Sequence, residues 1–415
     1  MSGISGSNTY YPLITTYKPR ILLSYAPDHQ DHQPPMSLLD APYRFTSLQK
    51  SLFAVAGLVL FLAVWWLLAE QLSVQSPVGF QNSRMPSSLS TDPDSIALRK
   101  ELLLKDSIAY ADAREFKKVY PLLAPPLKVF GAFPELINPA DGSINKSLLT
   151  HARVSVWRNL QGYFWAVFFA LLIGIPIAIS PVAKAMFSRQ IDTLRYVPLT
   201  ALTPLFLILF RPESSEAMKV SFLAFGILVY LLPVVMQRLW ETEDVYLKTA
   251  YTLGASDWQL VKSVYVPAVL SKLIDDIRVL TAISWTYIII AEVYYRDDGL
   301  GSLSYILGRQ GNVAGVFAVL ITIVIIGYCQ DQLFAYMNRR LFPYRDVKAV
   351  SPGLKETRTG FLIILGVVMG YLLLTALTGS IPILGLIVAV IVAAAVLMII
   401  YGEVRLRTAK PETAN

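Results

Sequence analysis

The chain has 415 residues, 54% of them hydrophobic and only 16% charged, where a soluble protein of this length carries about a quarter charged residues. Apolar runs of about 20 residues, the span of a bilayer core, recur along it, so a soluble globular protein is excluded and an all-α polytopic membrane protein is indicated. The formal net charge of +7 fits basic cytoplasmic loops, where Lys and Arg collect in membrane proteins, better than nucleic-acid binding.

Residues 1–50 are polar and carry Pro12, Pro19, Pro27, Pro34, Pro35 and Pro42, and they read as an irregular cytoplasmic tail. No cleavable signal peptide is visible, because the first long apolar run lies too far in and is too long. That run, 51–72, is the first expected span. Residues 73–157 are mostly polar and read as an extracytoplasmic segment. Within it, 95–118 has Leu98, Leu102 and Ile108 at helix-like intervals, as in a surface-lying amphipathic helix or a helix of a small soluble subdomain.

Further spans are expected at 160–180, 197–210, 220–235, 273–293 and 313–337. The second of these is cut by Pro198 and Pro204, breaks that membrane helices tolerate when neighbours satisfy the freed backbone groups. After a basic linker, 346–358, comes a pair at 361–378 and 381–401 joined only by Gly379 and Ser380. Such a short connection requires an antiparallel hairpin (359–403 with its flanks), followed by a tail at 404–415. Gly366 and Gly370 have the spacing that lets membrane helices approach closely.

The count is about eight spans. Lys184, Arg189 and Arg195, then Arg339, Arg340, Arg345, Lys348, Lys355 and Arg358, then Arg405, Arg407 and Lys410 all fall on one side if both termini are cytoplasmic. The loop 240–267 falls on that side too.

That loop, "ETEDVYLKTAYTLGASDWQLVKSVYVPAV", reads as two short helices and a turn. Glu241, Glu243 and Asp244 suit the positive end of the first helix, and Leu247, Ala250, Tyr251 and Leu253 give it an apolar stripe. Gly254 is placed to end it in the left-handed conformation. Ser256 with Gln259 three residues on makes a capping box opening the second helix, with Asp257 in its first turn. Pro267 marks the passage to the next element. From the residues alone, the loop is either an ordinary helical connection or a dock for a partner.

The spacing of Ala250, Gly254 and Val264-Tyr265-Val266-Pro267 resembles the EAA loop of permease subunits of binding-protein-dependent ABC importers, and Leu253-Gly254-Ala255-Ser256 is similar to its centre. The opening departs from the pattern, with Lys248 and Thr249 where the family carries Glu and Ala. Residues 157–179 resemble the family's first core span. "LRYVPLTALTPLFLILF" (194–210) and "AEVYYRDDGLGSLSYI" (291–306, with Gly299-Leu300-Gly301) resemble the nitrate, sulfonate, taurine and bicarbonate branch.

The likeness covers about 120–345, with a permease core expected at 158–345. It does not cover the tail, the 73–118 insertion or the last two spans. It implies a type I importer permease core of five to six helices, with a coupling helix at about 241–262 that docks on a separate ATPase subunit. The residues implied at that contact are Ala250, Leu253, Gly254, Ser256, Trp258, Leu260 and Pro267. Implied partners are the ATPase, an extracytoplasmic solute-binding protein, a second permease subunit, with a homodimer expected, and membrane lipid, in a bacterial plasma membrane. No cofactor is expected.

No glycine loop of the Walker type precedes a Gly-Lys-Ser/Thr, so ATP hydrolysis is assigned to a partner chain. Asp28, His29, Asp31 and His32 offer a weak metal pattern, His151 reads as a boundary residue, and Asn145-Lys146-Ser147 fits the short glycosylation pattern. Cys329 is alone, so no intrachain disulfide forms. Ionisable residues in spans are the better functional candidates. Asp275, Asp276 and Arg278 either pair at the interface or transmit elbow motion; Glu292 either lines a translocation path or packs against the Gly-Leu-Gly turn. Thr200, Thr203, Trp285 and Thr286 offer hydrogen bonds to a solute or to neighbouring helices. A secondary transporter or channel independent of ATP would show inverted repeats and coupling carboxylates at mid-membrane; no repeat is evident.

Overall fold

The computed structural model describes residues 46–77, 97, 100–105, 107–108, 116–139, 146–210, 215–295, 297–343, 353–379 and 382–408. The chain divides into two units at Leu60. Helix α1 (Ser47–Gln71) straddles the division, and its residues in the first unit, 47–60, are almost all exposed.

The second unit opens with a two-stranded antiparallel ribbon, β1 (Val74–Pro77) on β2 (Phe116–Val119). The ribbon overturns the helix expected up to residue 118, since residues 116–118 are strand; residues 97, 100–105 and 107–108 are helical. Lys118 and Tyr120 fasten the ribbon to Glu70 at the end of α1. Helix α2 (Pro126–Ile137) buries Val129, Ala132 and Leu136, one stripe at helical spacing.

The core is α3 (Leu148–Ile179) packed along α6 (Ser215–Trp240). The two run parallel: Gly162 lies against Leu223 and, further along both helices, Gly174 lies against Leu232 and Val235. Parallel neighbours require a return pass, which α4 (Pro181–Leu194) and α5 (Leu199–Leu209) supply, bent by 100° about residues 195–198. Pro198 stands at the start of α5, where proline's fixed φ and missing N–H are tolerated.

After α6 the chain turns through α7 (Asp244–Thr252), α8 (Asp257–Leu260) and a π-helical turn (Val261–Tyr265). It then rises through α9 (Val266–Val279) and α10 (Thr281–Tyr294), crosses the far end in α11 (Leu300–Arg309), and descends in α12 (Val313–Leu341). The last two helices, α13 (Leu354–Thr378) and α14 (Pro382–Thr408), pack on each other.

Six helices among the described residues are long and apolar enough to cross a bilayer, or seven if the bent α4–α5 pair is one span. Two of the eight expected spans are therefore not single long helices. The 197–210 pass is eleven helical residues after a bend, and the 273–293 pass is broken at Leu280 between two fourteen-residue helices.

The hairpin's close approach is made by other glycines than Gly366 and Gly370, at which an added Cβ would meet open space. At Gly360 that Cβ would come within 2.6 Å of Ile399 and 2.9 Å of the Ala395 carbonyl, and at Gly402 within 2.8 Å of the Gly353 carbonyl. The close contact sits at the open end of the hairpin.

Candidate functional site

The elbow between α6 and α9 is formed as its local chemistry dictates. Gly254 adopts φ 74°, a conformation other L-residues enter at a cost. The N–H of Ala255 reaches back to the Ala250 carbonyl at 3.0 Å, closing α7 in the six-residue pattern that follows a left-handed residue. Ser256 Oγ accepts from Gln259 N at 3.4 Å while the Ser256 N–H donates to Gln259 Oε1 at 2.9 Å, so the capping box is complete. Pro267 lies in the first turn of α9.

No residue of α7 is buried. Leu253 is 82% and Trp258 74% exposed, with Val245, Tyr246 and Tyr251 exposed beside them. Glu243, Asp244, Lys248, Asp257 and Lys262 are exposed among these apolar groups, a mixture that suits neither lipid nor plain solvent. Exposed Tyr and Trp are among the residue types enriched at protein–protein interfaces. Of the expected contact residues, Leu260 is buried, 4% exposed, because the short α8 turns it inward while Trp258 points out, and Ala250 is partly exposed.

The elbow is tied to the long helices by ion pairs. Arg238 at the end of α6 donates through Nε and Nη2 to both oxygens of Asp276 on α9, at 2.8 and 2.7 Å, the two-pronged geometry that gives such pairs strength and direction. Its Nη1 donates to Glu241 at 2.8 Å, and this donation holds the Glu241 carboxyl below the usual carboxylate range. Arg278 donates to Asp331 on α12 at 2.9 and 3.1 Å, and Asn338 donates to Asp275 at 2.8 Å. Asp275, Asp276 and Arg278 thus bind α9 to α6 and α12, more than to one another; Arg278 and Asp275 stand 3.7 Å apart.

At the other end of the bundle lies a buried ionic knot, of which sequence reasoning named Glu292, His151 and the Gly-Leu-Gly turn but not Ser155, Arg158, Glu216 or Lys219. Glu292, 0% exposed, accepts from Ser155 Oγ at 2.7 Å, Arg158 Nη1 at 2.9 Å and the Gly301 N–H at 2.9 Å. Arg158 also bonds Glu216 and donates to the Asp298 carbonyl at 2.6 Å. His151 Nδ1 accepts from the Gly299 N–H at 3.0 Å, and buried Lys219 lies 3.4 Å from Asp297. Gly299 and Gly301 are required here, since a Cβ on Gly299 would overlap the Glu292 carboxylate and one on Gly301 would stand 2.5 Å from the Ile289 carbonyl. Arg153, Trp157, Arg158, Glu216 and Asp298 line an open cleft of about 500 Å³ beside the knot.

The five expected path residues do not gather in one cavity. Glu292 is locked in the knot. Trp285 is buried and donates to Gln330 at 3.0 Å, which in turn donates to Asn159 at 3.0 Å. Thr203 is buried and donates to the Thr200 carbonyl, whereas Thr200 and Thr286 are exposed. Leu199 and Tyr287, the sequence neighbours of those two, meet at Gly226. α5 also exposes Leu205, Ile208 and Leu209. Cys329 is exposed on α12, and among the described residues no His, Cys, Asp and Glu side chains cluster as metal ligands. The Asp28–His32 pattern and Asn145 lie outside the described residues.

Residues 166–343 match the family described as binding-protein-dependent transport system inner membrane component. The chain is 27% identical over 225 residues to the taurine transport system permease protein of Escherichia coli (strain K12), covering 54% of this chain and 80% of that protein. It is 24% identical over 225 residues to a putative aliphatic sulfonates transport permease protein of Bacillus subtilis (54% and 79% covered) and 22% identical over 218 residues to the nitrate import permease protein of Synechococcus elongatus (51% and 76% covered). The matched stretch holds the elbow, its ion-pair ties and the Gly-Leu-Gly turn in one continuous run. Over this stretch the chain is similar to the inner-membrane permeases of binding-protein-dependent transport systems, the taurine, sulfonate and nitrate permeases among them, and its long apolar helices make it a multi-pass membrane protein.

Proposed function

We propose that this subunit forms one half of a solute path across the membrane and is driven by a separate ATPase through the elbow at 241–267. The observation that carries the reading is the patch of Val245, Tyr246, Tyr251, Leu253 and Trp258, exposed on an element whose following helix, α9, is ion-paired to two long helices, α6 and α12. A partner gripping that patch moves α9, and through Asp276 and Asp275 it moves α6 and α12. The permease is then a two-state element whose populations shift with the ATPase's nucleotide state, through contacts that differ between the states.

The elbow end faces the cytoplasm in this reading, which agrees with the basic ends of α12 and α14, and both termini are cytoplasmic. The core is 158–345, and a solute-binding protein docks at the opposite end, by the cleft beside the knot. A second copy of the chain covers the exposed face of α5, so that Thr200 and Thr286 border the path at the subunit interface. The branch suggests a small anion or sulfonate as solute.

The deciding experiment replaces Gly254 with Val and, separately, Trp258 with Ala in cells that also express the cognate ATPase. Both variants are expected in the membrane at normal levels, with ATPase co-purification and uptake each reduced roughly tenfold, as for loss of one central aromatic anchor worth 1–2 kcal/mol. Normal co-purification and uptake in both would sink the coupling assignment.

A further inference from the structure

Where α14 leaves α12, an open groove of about 290 Å³ is lined by Tyr336 of α12 and by Ile399, Ile400, Glu403, Val404 and Arg407 of α14. The α14 residues are spaced one, four, five and eight apart and so share one helix face. That face changes character along its length, from the apolar Ile399 and Ile400, past Val404, to Arg407 in the last turn. Glu403 is already engaged, accepting from Arg340 at 2.7 Å and from the Tyr336 hydroxyl at 3.1 Å. Arg407 lies 3.9 Å from it, with 81% of its side chain exposed. Arg339 and Arg340 close α12 beside it, and Arg405, which is paired with Glu356, closes α14.

The groove therefore has an apolar floor within the hydrophobic reach of two long helices and a cationic rim where both helices end. A free inorganic anion has no use for the floor, and a neutral lipid none for the rim. We propose that the groove holds one anionic phospholipid, its acyl chain along Ile399, Ile400 and Val404 and its phosphate at Arg407. Basic sites between membrane helices at the cytoplasmic level recognise acidic headgroups in this way. The hairpin lies outside residues 166–343, so such a site forms where the added part of the chain meets the end of α12.

The test is native mass spectrometry of the full-length protein released from phosphatidylglycerol-containing vesicles. About one phosphatidylglycerol per chain is expected to remain, with phosphatidylcholine from matched vesicles not retained and millimolar inorganic phosphate unable to displace the lipid. Arg407→Gln should lower retention about fivefold, the loss of one interfacial charge contact, and Arg407→Lys should restore it. Ile400→Trp, which fills the floor and keeps every charge, should lower it as well. Equal retention of the two lipids, displacement by phosphate, or unchanged retention in Arg407→Gln overturns the proposal.

Discussion

Arg158 is 2% exposed and sits between two carboxylates, Glu292 and Glu216. Charges taken out of water cost several kcal/mol apiece unless fully partnered, and here Ser155 and the Gly301 N–H complete the shell of Glu292. Removing one partner should therefore harm more than removing both. Arg158→Met is expected to cost about 3–5 kcal/mol and to lower the thermal midpoint sharply in a detergent melting assay, whereas Arg158→Met combined with Glu292→Met recovers most of the loss. Equal melting of the single and double variants would show the pair to be incidental. Gly301→Ala should cost about 1–3 kcal/mol by overpacking, since its Cβ has a backbone carbonyl in its way. None of this was legible around Arg158 itself. In the sequence it is one more polar residue at the mouth of an apolar run, and its partners stand 58 and 134 residues away, a distance no local pattern spans.

At the scale of elements, the elbow was the most legible part of the chain. A glycine that must be left-handed, a capping box and a proline in the first turn of α9 are all decided within a few residues, so Gly254, Ser256 with Gln259, and Pro267 could be read directly. Ser256→Ala should cost about 1 kcal/mol of helix stability and fray α8, seen as faster amide exchange at 257–260.

The elbow's pH response follows from Glu241, whose carboxyl titrates below its ordinary value of 4.5 because Arg238 bonds its ionised form. A depressed folded-state value contributes stability above the ordinary value and loses it as the pH falls through the folded one. The tie between Arg238 and Glu241 should thus hold from pH 8 to about 5 and loosen only below about 4.5, checked by amide exchange at the end of α6 and the start of α7. The break at Leu280 and the placing of the hairpin glycines were not legible. The first depends on how α9 and α10 each pack on their neighbours. The second depends on where two helices cross, which the spacing of Gly366 and Gly370 does not record.

Over the whole molecule, the long spans, their order and the hairpin were readable because each is an apolar run that must satisfy its own backbone in lipid. The count was less secure where passes are made in pieces, as at α4–α5 and α9–α10. The added hairpin rests on the elbow end of the core through Phe361, Ile274 and Leu341 and through Glu403. It thus braces the same region that the ion pairs tie together. Asp276→Asn removes the bidentate tie between α6 and α9, and uptake should fall roughly two- to thirtyfold, the range for altered coupling, while ATP hydrolysis by the assembled complex continues. Unchanged uptake per ATP would show that Arg238 and Asp276 carry none of the stroke.

The interruption at Leu280 gives this pass two independently moored halves. The lower half is held by charge pairs at a surface that water can reach, and the upper half by a dry carboxylate cage around Glu292. In the proposed coupling, a pull delivered near Trp258 would tilt the lower shaft about Leu280 while the upper shaft keeps its station, as a knee lets a shin swing beneath a fixed thigh.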